Sequence, residues 1–185
     1  MTDDREAAQY DHKTIALHWL TALLVILLWC VGQTIDWFPR GAPRVYARSV
    51  HIVTGDMLAI ILLVRIHWRI TGGARLPSVA AGAAGRLEKI AHGVLYLALF
   101  ATIALGIANS LIRGDQIFGL FRIPSIAPGN KELREFVEDL HGDAANILLV
   151  LAAVHAAVAL FHHFRLRNRL LYRMSFRNPP PQRSG

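Results

Sequence analysis

Four histidines in this chain are spaced as ligands of a buried group. His141 and His155 are 14 residues apart. At about 100° per residue that spacing returns to nearly one helix face, and at about 1.5 Å per residue it separates the two rings by about 21 Å. His162 lies seven residues further along the same stripe. His18 and His51 stand in two other apolar runs. An imidazole facing hydrocarbon is costly, so histidines at such depth have partners. The partner that best suits two pairs of them is haem iron. An iron with both axial positions filled by histidine passes electrons and has no open position for a substrate.

The elements that must position these rings are four apolar runs, near Thr14–Ile35, Ser49–Ile70, Ile90–Ile112 and Leu140–Phe164. Each exceeds the roughly 20 residues that cross about 30 Å of hydrocarbon. Four such runs with short connections predict an all-α, membrane-embedded, four-helix up-and-down bundle over residues 14–174. An amino-terminal segment, residues 1–13, precedes it, and a disordered tail, residues 175–185, follows it. The first run is too long for a signal-peptide h-region and is not followed by a small-x-small cleavage site, so it is read as a retained span.

Alternating spans fix depth. His18 lies about one turn inside the first run from the side of the amino terminus, and His51 about one turn inside the second run from the other side. His18 therefore matches His155 in depth, and His51 matches His141. Gly55, four residues after His51 on the same face, leaves room for the edge of a flat macrocycle. The chain has one cysteine, Cys30. Without a Cys-x-x-Cys-His motif, the two haems are expected to be b-type and noncovalent.

Net charge is +7. The amino terminus, the end of the second run (Arg65 and Arg69) with its link to the third, and the carboxyl tail together hold 13 of the 20 basic residues. The positive-inside rule then places both termini in the cytoplasm of a cell with this chain in its inner membrane. A basic tail beside a span meets anionic lipid, which argues against nucleic acid as a partner. On the opposite side Arg40, Arg44, Arg48, Lys131 and Arg134 are available to steer an anion.

The remaining signals are weaker. His92, near the start of the third run, is read either as a propionate contact or as a packing residue. His162, His163 and Arg165 end the fourth run, and their imidazoles and guanidinium suit a propionate or a quinone carbonyl and its protons. Trp19 and Trp68 read as an aromatic belt at the interface. The third loop, Arg113 to Asp139, carries a helical pattern from Asn130 onward, with Asn130 as its N-cap. The link Thr71 to Lys89 is rich in Gly and Ala and reads as a flexible loop. A haem-free, metal-carrying protein is the competing use of such histidines, but Asp56 and Asp143 are the only acids near the rims to support it.

The motifs Ala16-Leu17-His18-Trp19-Leu20, His51-x-x-x-Gly55, Val64-Arg65-Ile66-His67-Trp68-Arg69, His92-x-x-Leu95-Tyr96, Leu140-His141 and His155-Ala156-Ala157-x-Ala159-Leu160-x-His162-His163-Phe164 together resemble the bacterial cytochrome b561 family. The resemblance spans about Thr14 to Met174. It implies haem iron ligated by His18 with His155 and by His51 with His141. It further implies electron exchange with the quinone pool, with ubiquinone as acceptor or donor and a periplasmic donor such as superoxide. A haem-bearing membrane anchor subunit of a respiratory dehydrogenase or hydrogenase is the alternative role for the same histidine pairs.

Overall fold

The computed structural model describes residues 9–77, 82–166 and 170–176. Four long helices dominate: α1 His12–Thr34, α2 Ala42–Thr71, α3 Gly82–Arg113 and α4 Lys131–Phe164. All four are long and apolar enough to cross a membrane. Each packs on its neighbour in the chain, and α1 meets α4 through the Trp29 indole, which donates to Asn146 Oδ1 at 2.9 Å. The result is the expected up-and-down bundle.

The helices run past the apolar segments that the sequence marks, because the bilayer limits only the apolar part of a helix. α2 begins at Ala42, not near Ser49, with Pro43 in its first turn. Proline is tolerated there because the first helical N–H groups have no intrahelical partner. Residues 82–89 of the expected flexible link form the first turns of α3, and residues 78–81 lie outside the described set. α4 starts at Lys131, capped by Asn130, whose Oδ1 accepts the Leu133 N–H at 3.0 Å. The helical pattern in the third loop thus continues directly into the fourth span.

Inside the bundle, Leu24, Leu28, Leu58, Leu62, Leu99 and Leu148 form one buried cluster. Leu148 stands seven residues from both His141 and His155, so this leucine layer fills the middle of the bundle between the two levels of histidine. The outer faces carry exposed Leu23, Ile26, Ile60, Leu63, Leu97 and Val150. Apolar residues on both the inside and the outside are what a lipid environment selects.

Each rim is closed by a small device. At the hairpin rim, away from the termini, β1 Gln116–Ile117 pairs antiparallel with β2 Phe121–Arg122. Fully buried Ser49 holds this hairpin: its hydroxyl accepts the Phe118 N–H at 2.8 Å and lies 2.7 Å from the Val45 carbonyl. Phe118 sits at a φ of 50°, which this anchoring supports.

At the terminal rim, a 3₁₀ turn over Leu170–Met174 docks on the start of α1. The Gln9 amide donates to the Tyr172 carbonyl at 3.1 Å, and Trp19 donates its indole N–H to the Met174 carbonyl at 2.8 Å. Arg173 is buried and donates to the Pro77 carbonyl at 2.8 Å. Trp68 donates to Asp11 at 2.9 Å, with the Lys13 ammonium 4.5 Å from its ring centre. Both tryptophans therefore fasten chain segments to one another, beyond the belt role read from their position. Of the tail expected to be disordered, Ser175 and Phe176 follow this docked turn, and residues 177–185 lie outside the described residues, as do residues 1–8.

Candidate functional site

The four histidines converge in two pairs. The rings of His51 and His141 lie 6.1 Å apart between centroids, at 87° to each other. Those of His18 and His155 lie 6.5 Å apart at 66°. These are the pairs that depth alone selected, and each joins two helices of the bundle: α2 with α4 at the hairpin end, α1 with α4 at the terminal end.

Both separations suit one metal atom held between two rings. Two metal–nitrogen bonds of about 2 Å and two ring radii of about 1.15 Å place such centroids about 6.3 Å apart. Among the described residues, no three His, Cys, Asp or Glu side chains gather where they would hold a bare ion. The donor set is thus two imidazoles per site, which would suit a metal that brings its other ligands with it.

The hairpin-end pair is prepared for that role. His141 Nδ1 lies 3.1 Å from the Thr102 carbonyl oxygen. A carbonyl only accepts, so the ring's proton is on Nδ1 and the lone pair is on Nε2. Gly106 lies against this ring: a Cβ there would come within 3.0 Å of His141 Cε1. Gly32 of α1 does the same for His51, at 3.3 Å from Cε1. The Nδ1 atom of His51 is buried, and the ring lies against the Leu28 backbone of α1. Gly55, the residue singled out from sequence, meets nothing within 4 Å and borders open space. Gly32 and Gly106 were not picked from sequence. The available signal was hairpin register: Gly32 and His51 are equally far from the Gly41–Ala42 turn, and Gly106 and His141 are equally far from Ile123–Pro124.

Above this pair lies a charged roof. Arg113 binds Glu138 at 2.6 Å, and buried Asp115 lies 3.7 Å from Arg48 and 3.8 Å from Arg113. Burial pushes the Asp115 carboxyl up from its ordinary range, and the two guanidiniums oppose that shift. Of the basic residues offered for anion steering, Arg44 is paired with Asp36, Arg48 with Asp115 and Lys131 with Glu135. Pairing weakens the long-range field of those three, and with it the anion steering considered for this side.

The terminal-end pair has different surroundings. His92 lies 5.2 Å from His155 between centroids, and its Nδ1–H donates to the Glu88 carbonyl at 2.8 Å. His18 Nδ1 is 3.1 Å from the Arg65 guanidinium, which also lies over the Tyr96 ring at 5.1 Å. Arg65 was present in the motifs but had been given no role. Hairpin register again carried the signal, since His18 and Arg65 are equally far from Gly41–Ala42. His162 is half-buried beside Phe161, with ring centroids 6.4 Å apart, and His163 packs on Tyr172 at 5.4 Å. Arg165 is the exposed C-cap of α4.

The chain is similar to known proteins along nearly its whole length. The family model described as prokaryotic cytochrome b561 matches residues 9–177. Cytochrome b561 homolog 1 of Escherichia coli (strain K12) is 29% identical over 171 residues, covering 90% of this chain and 96% of that protein. Probable superoxide oxidase CybB of Yersinia pestis is 29% identical over 170 residues, covering 90% and 95%. Cytochrome b562 of Cereibacter sphaeroides is 31% identical over 173 residues, covering 89% and 94%. With its paired histidines, four apolar helices and a match along nearly its whole length, this chain belongs to the prokaryotic cytochrome b561 family of multi-pass bacterial membrane proteins that bind b-type haem and transfer electrons.

Proposed function

We propose that this protein is a dihaem quinone-linked oxidoreductase of the bacterial inner membrane, with both termini in the cytoplasm. In this reading it passes electrons between a periplasmic donor and membrane quinone, with superoxide as the donor to test first and ubiquinone as the partner in the bilayer. The observation that carries the reading is the pair of histidine couples, with ring centroids 6.1 and 6.5 Å apart, stacked along one face of α4.

His51 and His141 would hold one haem b, and His18 and His155 the other. Bound there, each group supplies a one-electron couple. The chain's own contribution is placement. α4 sets the two levels about 21 Å apart along its axis, most of the thickness of the hydrocarbon. The leucine layer around Leu148 keeps water out between them. With two histidines holding each haem, chemistry with small molecules would be confined to the edges of the sites. His162 and Arg165 at the cytoplasmic end of α4 are the residues proposed to meet quinone and its protons. The name of the Yersinia pestis relative supports superoxide as donor, and the paired charges at the hairpin rim make strong steering of that anion unnecessary to the reading.

The test is a reduced-minus-oxidised spectrum of the purified protein, followed by haem extraction in acidified acetone. The expected result is two extractable haems per chain, reduced by a superoxide source and reoxidised by a ubiquinone analogue. One haem, or haem that resists extraction, would sink the four-ligand scheme. A stably copurifying dehydrogenase would move the assignment to the anchor-subunit role.

A further inference from the structure

Asp56 places a carboxyl on the outer side of α2. It stands seven residues past Ser49, about 10 Å into the apolar part of the helix, and two residues before Leu58 of the buried leucine layer. At about 100° per residue, Leu58 and Leu62 lie about 200° and 240° around the helix from it. Both leucines are buried, so the bundle interior is on their side and Asp56 points away from it. Asp56 is itself exposed, among the exposed apolar side chains of Val53, Met57, Ile60 and Leu63. A carboxyl facing lipid at this depth is expensive and needs a polar partner.

The chain supplies none. No hydrogen bond or ion pair reaches Asp56 among the described residues. The nearest cations on α2, Arg48 and Arg65, are eight and nine residues away and on other faces of the helix. Arg48 pairs with Asp115, and Arg65 lies over the Tyr96 ring. Water at the hairpin rim is screened off along the same stripe. Ser49, seven residues nearer that rim, is fully buried under the β1–β2 hairpin, with its hydroxyl 3.2 Å from the Gln116 carbonyl. Long lysine and arginine stems reach an interface from such depths, and the short aspartate stem does not.

We propose that Asp56 is the centre of an interface with a second copy of this chain, α2 against α2. All copies share one orientation in the membrane. A twofold axis along the membrane normal therefore brings each outward residue to its own counterpart at equal depth. A second copy thus supplies a polar group at the level of Asp56 by symmetry. The chemistry is self-complementary, because a carboxylic acid donates through its O–H and accepts through its oxygens, so two facing Asp56 carboxyls satisfy each other. Around that contact, Val53, Met57, Ile60 and Leu63 give the apolar packing that holds membrane helices together, and the hydrogen bonds at its centre set the register. The interface lies on the far side of α2 from the histidine pairs and does not depend on what they bind.

The experiment uses the full-length protein in lipid vesicles, carrying Cys30→Ser so that each added cysteine stands alone. Ile60→Cys, one turn beyond Asp56 on the outer face, should form a disulfide-linked dimer under mild oxidation. Leu97→Cys, on the outer face of α3 and likewise two residues before a leucine of the buried layer, should not. Adding Asp56→Leu to Ile60→Cys should weaken the dimer about tenfold as protein is diluted in lipid, the usual worth of interhelical hydrogen bonds in model membranes. Asp56→Asn should keep the dimer, since an amide also donates and accepts. Haem content equal to the parent's in each variant shows that the fold is intact. Absence of the Ile60→Cys dimer, equal cross-linking at Leu97→Cys, or a dimer indifferent to Asp56→Leu overturns the proposal. So does a cross-link from Ile60→Cys to a different membrane protein in native membranes, which would give Asp56 another partner.

Discussion

The rings of His92 and His155 stand 5.2 Å apart between centroids, closer than the 6.5 Å between His155 and His18. Proximity alone would make His92 the partner of His155. Distance decides otherwise, because an atom bonded to both rings needs about 6.3 Å between centroids. His92 is also tied to its own helix through the Glu88 carbonyl. We therefore read His92 as a wall beside the proposed site. His92→Ala should keep two haems per chain and shift only the terminal-end spectrum. His155→Ala and His18→Ala should each remove one haem, and the same one. Pyridine haemochrome counts on the three variants check this; loss of a haem in His92→Ala would reassign the ligand.

The hairpin-end site gives a graded prediction from its glycines. An added methyl at Gly106 would sit 3.0 Å from His141 Cε1 and 3.4 Å from Nδ1, and the ring cannot retreat without straining its bond to Thr102. At Gly32 the contact is looser, 3.3 Å from His51 Cε1. Gly106→Ala should thus lower occupancy of the His51–His141 haem severalfold, and Gly32→Ala much less. Gly55→Ala meets no protein atom within 4 Å. It should leave the apoprotein as stable as before and weaken haem retention only if the macrocycle edge fills that space. Thermal melts of apoprotein alongside haem counts separate these outcomes.

The helices and the histidine pairs were legible in sequence because both follow from simple periods. Apolar length gives the spans, and a spacing of 14 residues puts His141 and His155 on one stripe. What sequence did not give was identity across a helix–helix contact. Arg65, Gly32 and Gly106 act on histidines of other helices, and periodicity within one helix says nothing about what its neighbour presents. The register of each antiparallel hairpin would have found all three, had the turn positions been known. Helix ends were misplaced for a different reason. Hydropathy marks where lipid begins, whereas hydrogen bonding carries α2 and α3 well past that boundary. The docking of Trp19 on the Met174 carbonyl joins residues 155 apart in sequence, which no local pattern encodes.

Asp11 makes the terminal rim sensitive to acid. Its carboxylate accepts the Thr14 N–H at 2.9 Å, the Thr14 hydroxyl at 2.7 Å, the Trp68 indole at 2.9 Å and the Ala74 N–H at 3.0 Å. Burial pushes its pKa up, but these four donors outweigh burial and hold it well below the ordinary carboxylate range. A depressed pKa stabilises the folded form above the unfolded value, near 4, and that contribution is lost as pH falls through the folded value. Acidification below about pH 4 should loosen the joint between α1 and the end of α2, read as a change in Trp68 emission. Asp11→Ala should cost about 2 kcal/mol at neutral pH, combining a lost N-cap with lost charge-assisted bonds, and should abolish the acid transition. A transition that persists in Asp11→Ala would place the sensor elsewhere.

His162 tests where electrons leave. It lies one stripe position beyond His155, two turns nearer the terminal rim, and is half-buried beside Phe161. Its neighbour His163 faces Tyr172 of the docked turn, so of the two adjacent imidazoles only His162 continues the ligand stripe. A ring there is placed to donate to a quinone carbonyl or to relay the proton that quinone reduction consumes. His162→Ala should retain both haems and their spectra, yet reoxidation of the reduced protein by a ubiquinone analogue should slow by about tenfold or more, the usual loss for a positioned acid or base. His67→Ala, exposed on α2 and off this stripe, should reoxidise at the parent rate. Stopped-flow absorbance at the haem bands measures both. Parent-like reoxidation in His162→Ala would make His162 an ordinary helix-end residue and send the search for the quinone contact to Arg165 and the docked 3₁₀ turn, whereas loss of a haem would put His162 itself among the ligands of α4.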